Sequence, residues 1–420
     1  MQFSNYANRF SANSGTVQLM DDLGSAQRAS GPVYMLGGGN PAHIPEAEAL
    51  FKAEMLKLVG DNKAFGKAIG EYDSPQGNTA FIHALAGLLQ QRFGWQVGPE
   101  HIAITNGSQS SFGILFNVLA GEFSDGSFRK ILLPLTPEYV GYSDVGIHEQ
   151  PIFEGHKPSI EKLDDGFFKY RVDFDGLSID ERYGAVCVSR PTNPTGNVIT
   201  DGELKELARR CEAASVPLII DGAYGVPFPG IVFSQATPLW NENIILCLSL
   251  SKLGLPGLRT GIVIANPALI QVIKNANAIN SLAPGRLGPA LVTAMIEDHS
   301  LLSLCNDIVR PYYADKVLRV IDMIKTLMHD IPVRIHKPEG ALFVWLWFED
   351  LPIHCHALYQ RLVEQGVYVI AGHHFYPGLE DDWRHKQECI RVNYAGEESV
   401  VRRGLEIIAE QVRDVYRLQG

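Results

Sequence analysis

The 420-residue chain contains no apolar run approaching the roughly 20 residues needed to cross a bilayer, so no membrane span is expected. Its cysteines (Cys187, Cys211, Cys247, Cys305, Cys355 and Cys389) are scattered, with no CxxC pair and no pairing rhythm. That pattern argues against a disulfide framework and fits a reducing compartment. Basic residues are not in excess either: 36 Lys and Arg against 47 Asp and Glu give a net charge of −11, which removes the electrostatic footprint of nucleic-acid binding. An acidic chain that holds an anion must therefore do so with a local site. The opening residues MQFSNYANRFSANSG show no basic-then-apolar leader, and no internal repeat or low-complexity tract is present. These absences predict a soluble, cytoplasmic protein.

What is present is ample core material, 46% hydrophobic against 20% charged residues, in a chain longer than one core usually supports. The runs 131-ILLPL-135, 185-AVCVSR-190, 217-PLII-220, 244-IILCLSL-250 and 262-IVIA-265 are short, β-branched and nearly continuous, as strands buried on both faces are. Amphipathic segments such as 201-DGELKELARRCEAA-214, opened by Thr200 or Asp201 as N-cap, alternate with them. Strand–helix alternation predicts an α/β fold with a mostly parallel central sheet flanked by helices. Further on, helical patterns near 311–329, 355–366 and 396–419 surround 341-ALFVWLWF-348 and predict a smaller α+β domain. The expected division is a large cofactor domain over 47–310 and a small domain over 311–420, to which the N-terminal segment 1–46 contributes.

In such a sheet, ligands sit beyond the carboxyl ends of the strands. The polar residues that follow the predicted strands are 191-PTNPTGN-197, then Asp221 and Tyr224, then Ser249, Ser251 and Lys252. Taken singly, Asp221 reads as a helix cap or turn residue and Lys252 as a solvated lysine. Delivered together to one edge, they match the needs of pyridoxal phosphate. A poorly solvated Asp221 would pair with the pyridine nitrogen, and Lys252 would hold the aldehyde carbon and shuttle protons. Arg259 would clamp the phosphate beside Ser249 and Ser251. The stretch 103-AITNGSQSSFG-113 reads equally as an ordinary capped helix or as a glycine turn and helix start that add phosphate donors.

The ordered set NGSQ, PEY, NPTG, D-x-x-Y, SLSK-x6-R and 390-IRVNY-394 resembles the fold-type I pyridoxal-phosphate aminotransferases of class I/II, over nearly the whole chain. LGGGNPAxIP, YDxPQG, SRPTNPTGNVITD, YGVPFPGI and SLSKLGLPG look like the branch that exchanges amino groups between valine and pyruvate. The resemblance implies that Lys252 bonds the cofactor and Asp221 meets its ring nitrogen. It further implies that Tyr224 and Asn193 bond its 3′ oxygen, that Tyr139 stacks on the ring, and that Ser108, Gln109, Ser249 and Arg259 hold the phosphate. Tyr72 resembles a tyrosine that reaches a neighbouring subunit's phosphate, implying a homodimer with shared sites. Arg391 matches the arginine gripping the substrate carboxylate, and Gly39 and Asn40 lie in the loop resembling one that covers the substrate. The implied reaction is ping-pong transfer between L-valine and pyruvate, giving 2-oxoisovalerate and L-alanine. No second arginine precedes Arg286 in 270-IQVIKNANAINSLAPGR-286, which favours an uncharged side chain. The alternatives are a broader alanine or branched-chain aminotransferase, a carbon–sulfur or cyclopropane-forming lyase on the same machinery, and, least favoured, a non-catalytic regulator. Neither His354-x-His356 nor His373-His374 has the spacing of a helical metal site, so no metal is expected. The aromatics Phe343, Trp345, Trp347 and Phe348 are expected to be core.

Overall fold

The structure, a computed structural model, describes residues 2–4, 7, 14–26 and 31–418. In chain order its first strands are β1 (Tyr34–Met35), β2 (Ile102–Thr105), β3 (Gly121–Glu122), β4 (Phe128–Leu133), β5 (Phe153–Gly155), β6 (Ser159–Lys162), β7 (Phe167–Arg171) and β8 (Tyr183–Ser189). They are followed by β9 (Leu218–Asp221), β10 (Ile244–Ser249), β11 (Gly261–Ile264), β12 (Val333–His336), β13 (Phe343–Phe348), β14 (Val367–Tyr368), β15 (Ile370–Ala371) and β16 (Cys389–Asn393).

The continuous apolar runs become the large sheet, ordered β2-β11-β10-β9-β8-β4, with β3 and β5 both paired to β4. Strands β10, β9, β8, β4 and β5 are mutually parallel, and every residue of β2, β9, β10 and β11 is buried. Burial on both faces explains why their sequence does not alternate. The predicted strand 262–265 runs antiparallel to both neighbours. Only residues 250–260 separate it from β10, too short a link for a helical crossover, so the chain returns alongside itself. The helix Asp201–Ala213 between β8 and β9 starts where expected: Thr200 and Glu203 form a reciprocal capping box.

A second sheet, ordered β15-β16-β13-β12-β7-β6, is built mainly from the C-terminal third. The helices expected there span Arg310–Leu327, Cys355–Glu364 and Glu398–Arg417. The hairpin β6–β7 lies within the span 47–310 expected for the large domain, yet it pairs with β12 of this second sheet. Its residues explain the placement. Phe168 and Tyr170 are buried on one face, and Lys169, on the other, is buried against Glu339. Lys169 also donates to the Val198 carbonyl (3.0 Å), Val198 N–H donates to Glu339 (3.1 Å), and Glu339 N–H donates to the Gly196 carbonyl (3.1 Å). The hairpin therefore braces the loop that carries Asn193. Strand β1 pairs in parallel with β14, tying residues 34–35 to the C-terminal part. Of the N-terminal segment 1–46, residues 1, 5–6, 8–13 and 27–30 lie outside the described residues. Among the described residues, no helix is long and apolar enough to cross a membrane.

Replacing Lys169 by Met would leave the Glu339 carboxylate buried without its cation, a loss of about 3–5 kcal/mol. A marked fall in Tm on thermal denaturation is the expected result for Lys169→Met, with smaller loss for a paired Lys169→Met, Glu339→Gln variant.

Candidate active site

Register brings the polar residues together. Ser189 of β8 and Cys247 of β10 both pair with Asp221 of β9, so the carboxyl ends of three parallel strands lie side by side. The loops leaving them carry Asn193, Tyr224 and Lys252. On the other flank Gly261 of β11 is in register with Ser249 and with Thr105 of β2, which places the Gly107 turn beside the same edge.

Asp221 is 7% exposed. Burial pushes its carboxyl above the usual range, while the Tyr142 hydroxyl, the Ala223 N–H and the Lys252 cation oppose that shift. Tyr142 donates to Oδ2 at 2.6 Å and Ala223 N–H to Oδ1 at 2.9 Å. Glu138 sits close by, fully buried, where it accepts the Ser189 N–H (2.8 Å) and the Ser189 hydroxyl. Burial drives its carboxyl up to about 8, so Glu138 is largely protonated at neutral pH and adds little negative charge beside Asp221. The sequence reading passed over both Glu138 and Tyr142. They flank Tyr139 within 137-PEYVGY-142, and only the fold shows that they turn toward β8 and β9.

Lys252 donates from Nζ to the Gly39 carbonyl at 2.7 Å, and its nitrogen lies 5.5 Å from the centre of the Tyr224 ring. Burial, then the Arg391 and Arg259 cations, lower its ammonium to about 8, with Asp221 acting the other way. Arg391 is 1% exposed on β16. It donates Nη1 to Asn193 Oδ1 (2.7 Å) and Nη2 to the Gly37 carbonyl, and its guanidinium rests 4.1 Å from the Phe343 ring centre. Its Nε is buried without a partner. Asn193 thus spends its carbonyl oxygen on Arg391, leaving amide N–H groups as its available donors. Asn393 donates to the Gly38 carbonyl at 2.7 Å and more weakly to that of Asn40 at 3.4 Å. The Gly39–Asn40 segment is thereby strapped across the site.

The expected phosphate residues form a cradle at the start of the helix Ser108–Leu119. Gly107 has φ +89°, and a Cβ there would land on the Arg259 guanidinium. Glycine at 107 is what lets that cation approach the helix start, where the first N–H groups have no partners within the helix. Arg259 Nη1 reaches Ser251 Oγ at 3.5 Å, and Ser249 Oγ accepts the Ser251 N–H at 3.1 Å. Ser251 is thus the serine directly on Arg259, with Ser249 behind it. Ser108 Oγ is buried with no partner. The Gln109 amide donates to the Gly141 carbonyl (2.9 Å), so its side chain faces the Tyr139–Tyr142 turn. Tyr139 stands edge-on to Tyr142, 5.4 Å between ring centres, beside Asp221. Tyr72 lies apart from this cluster and is 79% exposed.

The family model for aminotransferase class I and II matches residues 39–408. The chain belongs to that family. An Escherichia coli (strain K12) valine–pyruvate aminotransferase is 50% identical over 416 residues, 99% of each chain. Among solved structures, a valine–pyruvate aminotransferase from Salmonella typhimurium LT2 superposes with TM-score 0.88 at 49% identity, covering 96% of this chain and 99% of that one. A putative amino-acid aminotransferase from Psychrobacter arcticum 273-4 gives TM-score 0.96 at 43% identity, covering 99% of both.

Removing the Tyr142 hydroxyl would leave Asp221 Oδ2 buried without its donor, at a cost of about 1–3 kcal/mol. Tyr142→Phe is expected to bind pyridoxal phosphate more weakly by about 5- to 150-fold, read by absorbance titration of cofactor-free protein. The depressed Lys252 value has a pH consequence. Its neutral amine, the form that attacks an aldehyde, becomes the major species as pH rises through about 8. The rate at which cofactor-free protein takes up pyridoxal phosphate is expected to climb from pH 7 to 9 and then level; a flat profile there would contradict the assignment.

Proposed function

We propose that this chain is a pyridoxal-phosphate aminotransferase exchanging the amino group between L-valine and pyruvate, giving 3-methyl-2-oxobutanoate and L-alanine in a ping-pong cycle. The observation that carries this reading is the end-to-end, 50% identity with the Escherichia coli valine–pyruvate aminotransferase. The site supports it independently. The buried, unpartnered Ser108 hydroxyl, the Gly107 turn and Arg259 fit a phosphate; Asp221 fits a protonated pyridine nitrogen; Lys252 fits an aldehyde.

When bound, the cofactor supplies an electron sink that stabilises negative charge at the substrate Cα. The chain does the rest. Arg259, Ser251, Ser249 and Ser108 hold the phosphate and so fix the position of the ring. Asp221, whose charge the Tyr142 hydroxyl and Ala223 N–H favour against the effect of burial, would face the ring nitrogen. Tyr224 and Asn193 would donate to the ring oxygen, and Tyr139 would lie against the ring. Arg391 takes the substrate carboxylate, toward which its unpartnered Nε supplies a donor that Lys252, a point charge, could not replace. Lys252, whose amine is neutral above about pH 8, would be the base that takes the proton from the substrate Cα and gives it up again.

Specificity follows from what surrounds Lys252. A cavity of about 230 Å³ opens beside it, with Ala42, Ala47, Phe51, Leu253 and Tyr313 in its wall and the polar Asn40, His43 and Glu48 also lining it. The apolar part of that wall suits an aliphatic side chain. Arg286, the one arginine in the stretch expected to grip an acidic side chain, faces Asp73 (3.4 Å) and Glu71 (3.6 Å). Its charge is already answered. The exposed Tyr72, together with exposed Leu56, Val59, Phe65 and Ile69 nearby in sequence, supports a homodimer in which Tyr72 reaches the partner's phosphate site. The cofactor domain falls within 47–310 apart from the hairpin β6–β7, which joins 311–420 and part of 1–46 in the small domain. Six buried free cysteines suit a reducing cytoplasm.

The purified protein should convert L-valine and pyruvate to 3-methyl-2-oxobutanoate and L-alanine, and Lys252→Ala should abolish this while retaining the fold. L-Aspartate should be a donor at least about tenfold poorer in kcat/KM, equivalent to roughly 1.4 kcal/mol. Release of pyruvate and ammonia from an amino acid without any oxo acid would instead identify a lyase.

A further inference from the structure

A second cavity, away from Lys252, flanks the C-terminal part. It encloses about 670 Å³ beneath the helix Gly15–Ala26 and is lined by Gln18, Asp21, His354, His356, His373 and His374. The spacing of these histidines gave no helical metal motif, but the fold assembles them from two elements. His356 stands in the first turn of the helix Cys355–Glu364, and His373 and His374 on the turn Gly372–Phe375. One ligand atom from each of His356, His373 and His374 lies within 4.8 Å of the others. Nitrogens in tetrahedral coordination around Zn²⁺ at about 2.0–2.1 Å sit about 3.3 Å apart, so modest side-chain rotation closes the gap.

Two of these rings present nitrogens with nothing to bond. His356 Nδ1 and His374 Nε2 are buried without hydrogen-bond partners, a costly state that a ligand would relieve. His373 rests its Nδ1 against Cys355 Sγ at 3.4 Å, which orients the ring and leaves its other nitrogen for the cavity. The adjoining set His354, Cys355 and His373 is a poorer candidate. His354 Nδ1 already accepts the His356 N–H at 3.0 Å, and the Cys355 sulfur is already in contact with the Lys386 carbonyl.

We propose that His356, His373 and His374 form a three-histidine binding site for a divalent transition-metal ion, best suited to Zn²⁺, with water as fourth ligand. The ion ties the helix Cys355–Glu364 to the Gly372–Phe375 turn. That turn is part of the substrate wall. The Phe375 ring centre is 5.3 Å from the Arg391 guanidinium, and its carbonyl accepts the Glu138 N–H at 2.8 Å. Zinc at this place acts as a brace on the carboxylate-binding side of the site, not as a participant in amino transfer.

The test uses the untagged, full-length, cofactor-loaded protein, dialysed against micromolar Zn²⁺, with bound metal counted by elemental analysis and Tm measured alongside. The expected result is one zinc per chain and a raised Tm. The double variant His356→Asn, His373→Asn should lose affinity by roughly 100-fold or more and show no Tm rise on adding zinc. His374→Gln alone should weaken zinc similarly, which covers the case of a poorly folded double variant. Cys355→Ser should still take up one zinc. Absence of uptake by the parent protein, equal uptake by the parent and the histidine variants, or complete loss in Cys355→Ser would each overturn the three-histidine site.

Discussion

The site is organised around an imbalance of charge. Lys252, Arg259 and Arg391 converge on one cleft beside Asp221, while burial holds the neighbouring Glu138 carboxyl up to about 8, largely protonated at neutral pH. Burial first, and then the two arginine cations, lower the Lys252 ammonium. Of the three, Arg391 is buried, Lys252 half-buried and Arg259 exposed, so the charge is least answered by solvent at Arg391. On the proposed function, a phosphate group and a substrate carboxylate would supply the answering anions. The overall charge of −11 does not help to attract them, so capture depends on the local concentration of cations and on the helix start at Ser108.

Much of this was legible in the sequence, for a physical reason. Strands buried on both faces must be apolar throughout, and functional residues in such sheets must follow their carboxyl ends, so Asp221 and Lys252 stood out at the close of apolar runs. Asn193 and Arg391 became legible through the family motifs around them. What stayed hidden depends on contacts between distant segments. Nothing in 159–171 announces that Lys169 will find Glu339 and carry its hairpin into the second sheet. Tyr142 reads as one more aromatic until β9 brings Asp221 to it. Gln109 sits where a phosphate ligand is expected, yet its amide finds the Gly141 carbonyl. The histidines of 354–356 and 373–374 lack a common helical face, and only tertiary packing gathers them.

The hairpin and the turn Gly372–Phe375 show a shared logic. Each belongs to the second sheet or its border, and each supports a residue used at the edge of the first. Lys169 and Glu339 hold the loop of Asn193, while Phe375 lies against Arg391. The two sheets are thus joined at the point where cofactor and substrate meet.

Three successive carbonyls of the Gly37–Gly39 segment are engaged by three different side chains: Arg391, Asn393 and Lys252. Two of those donors keep their hydrogens throughout a catalytic cycle, but the lysine nitrogen is the one atom that must change partners. Whenever it does, Gly39 is left as an acceptor in search of a donor, while Gly37 and Gly38 stay anchored. On the proposed function, the strap would stay fixed at Gly37 and Gly38 while its hold at Gly39 depends on where the Lys252 nitrogen goes.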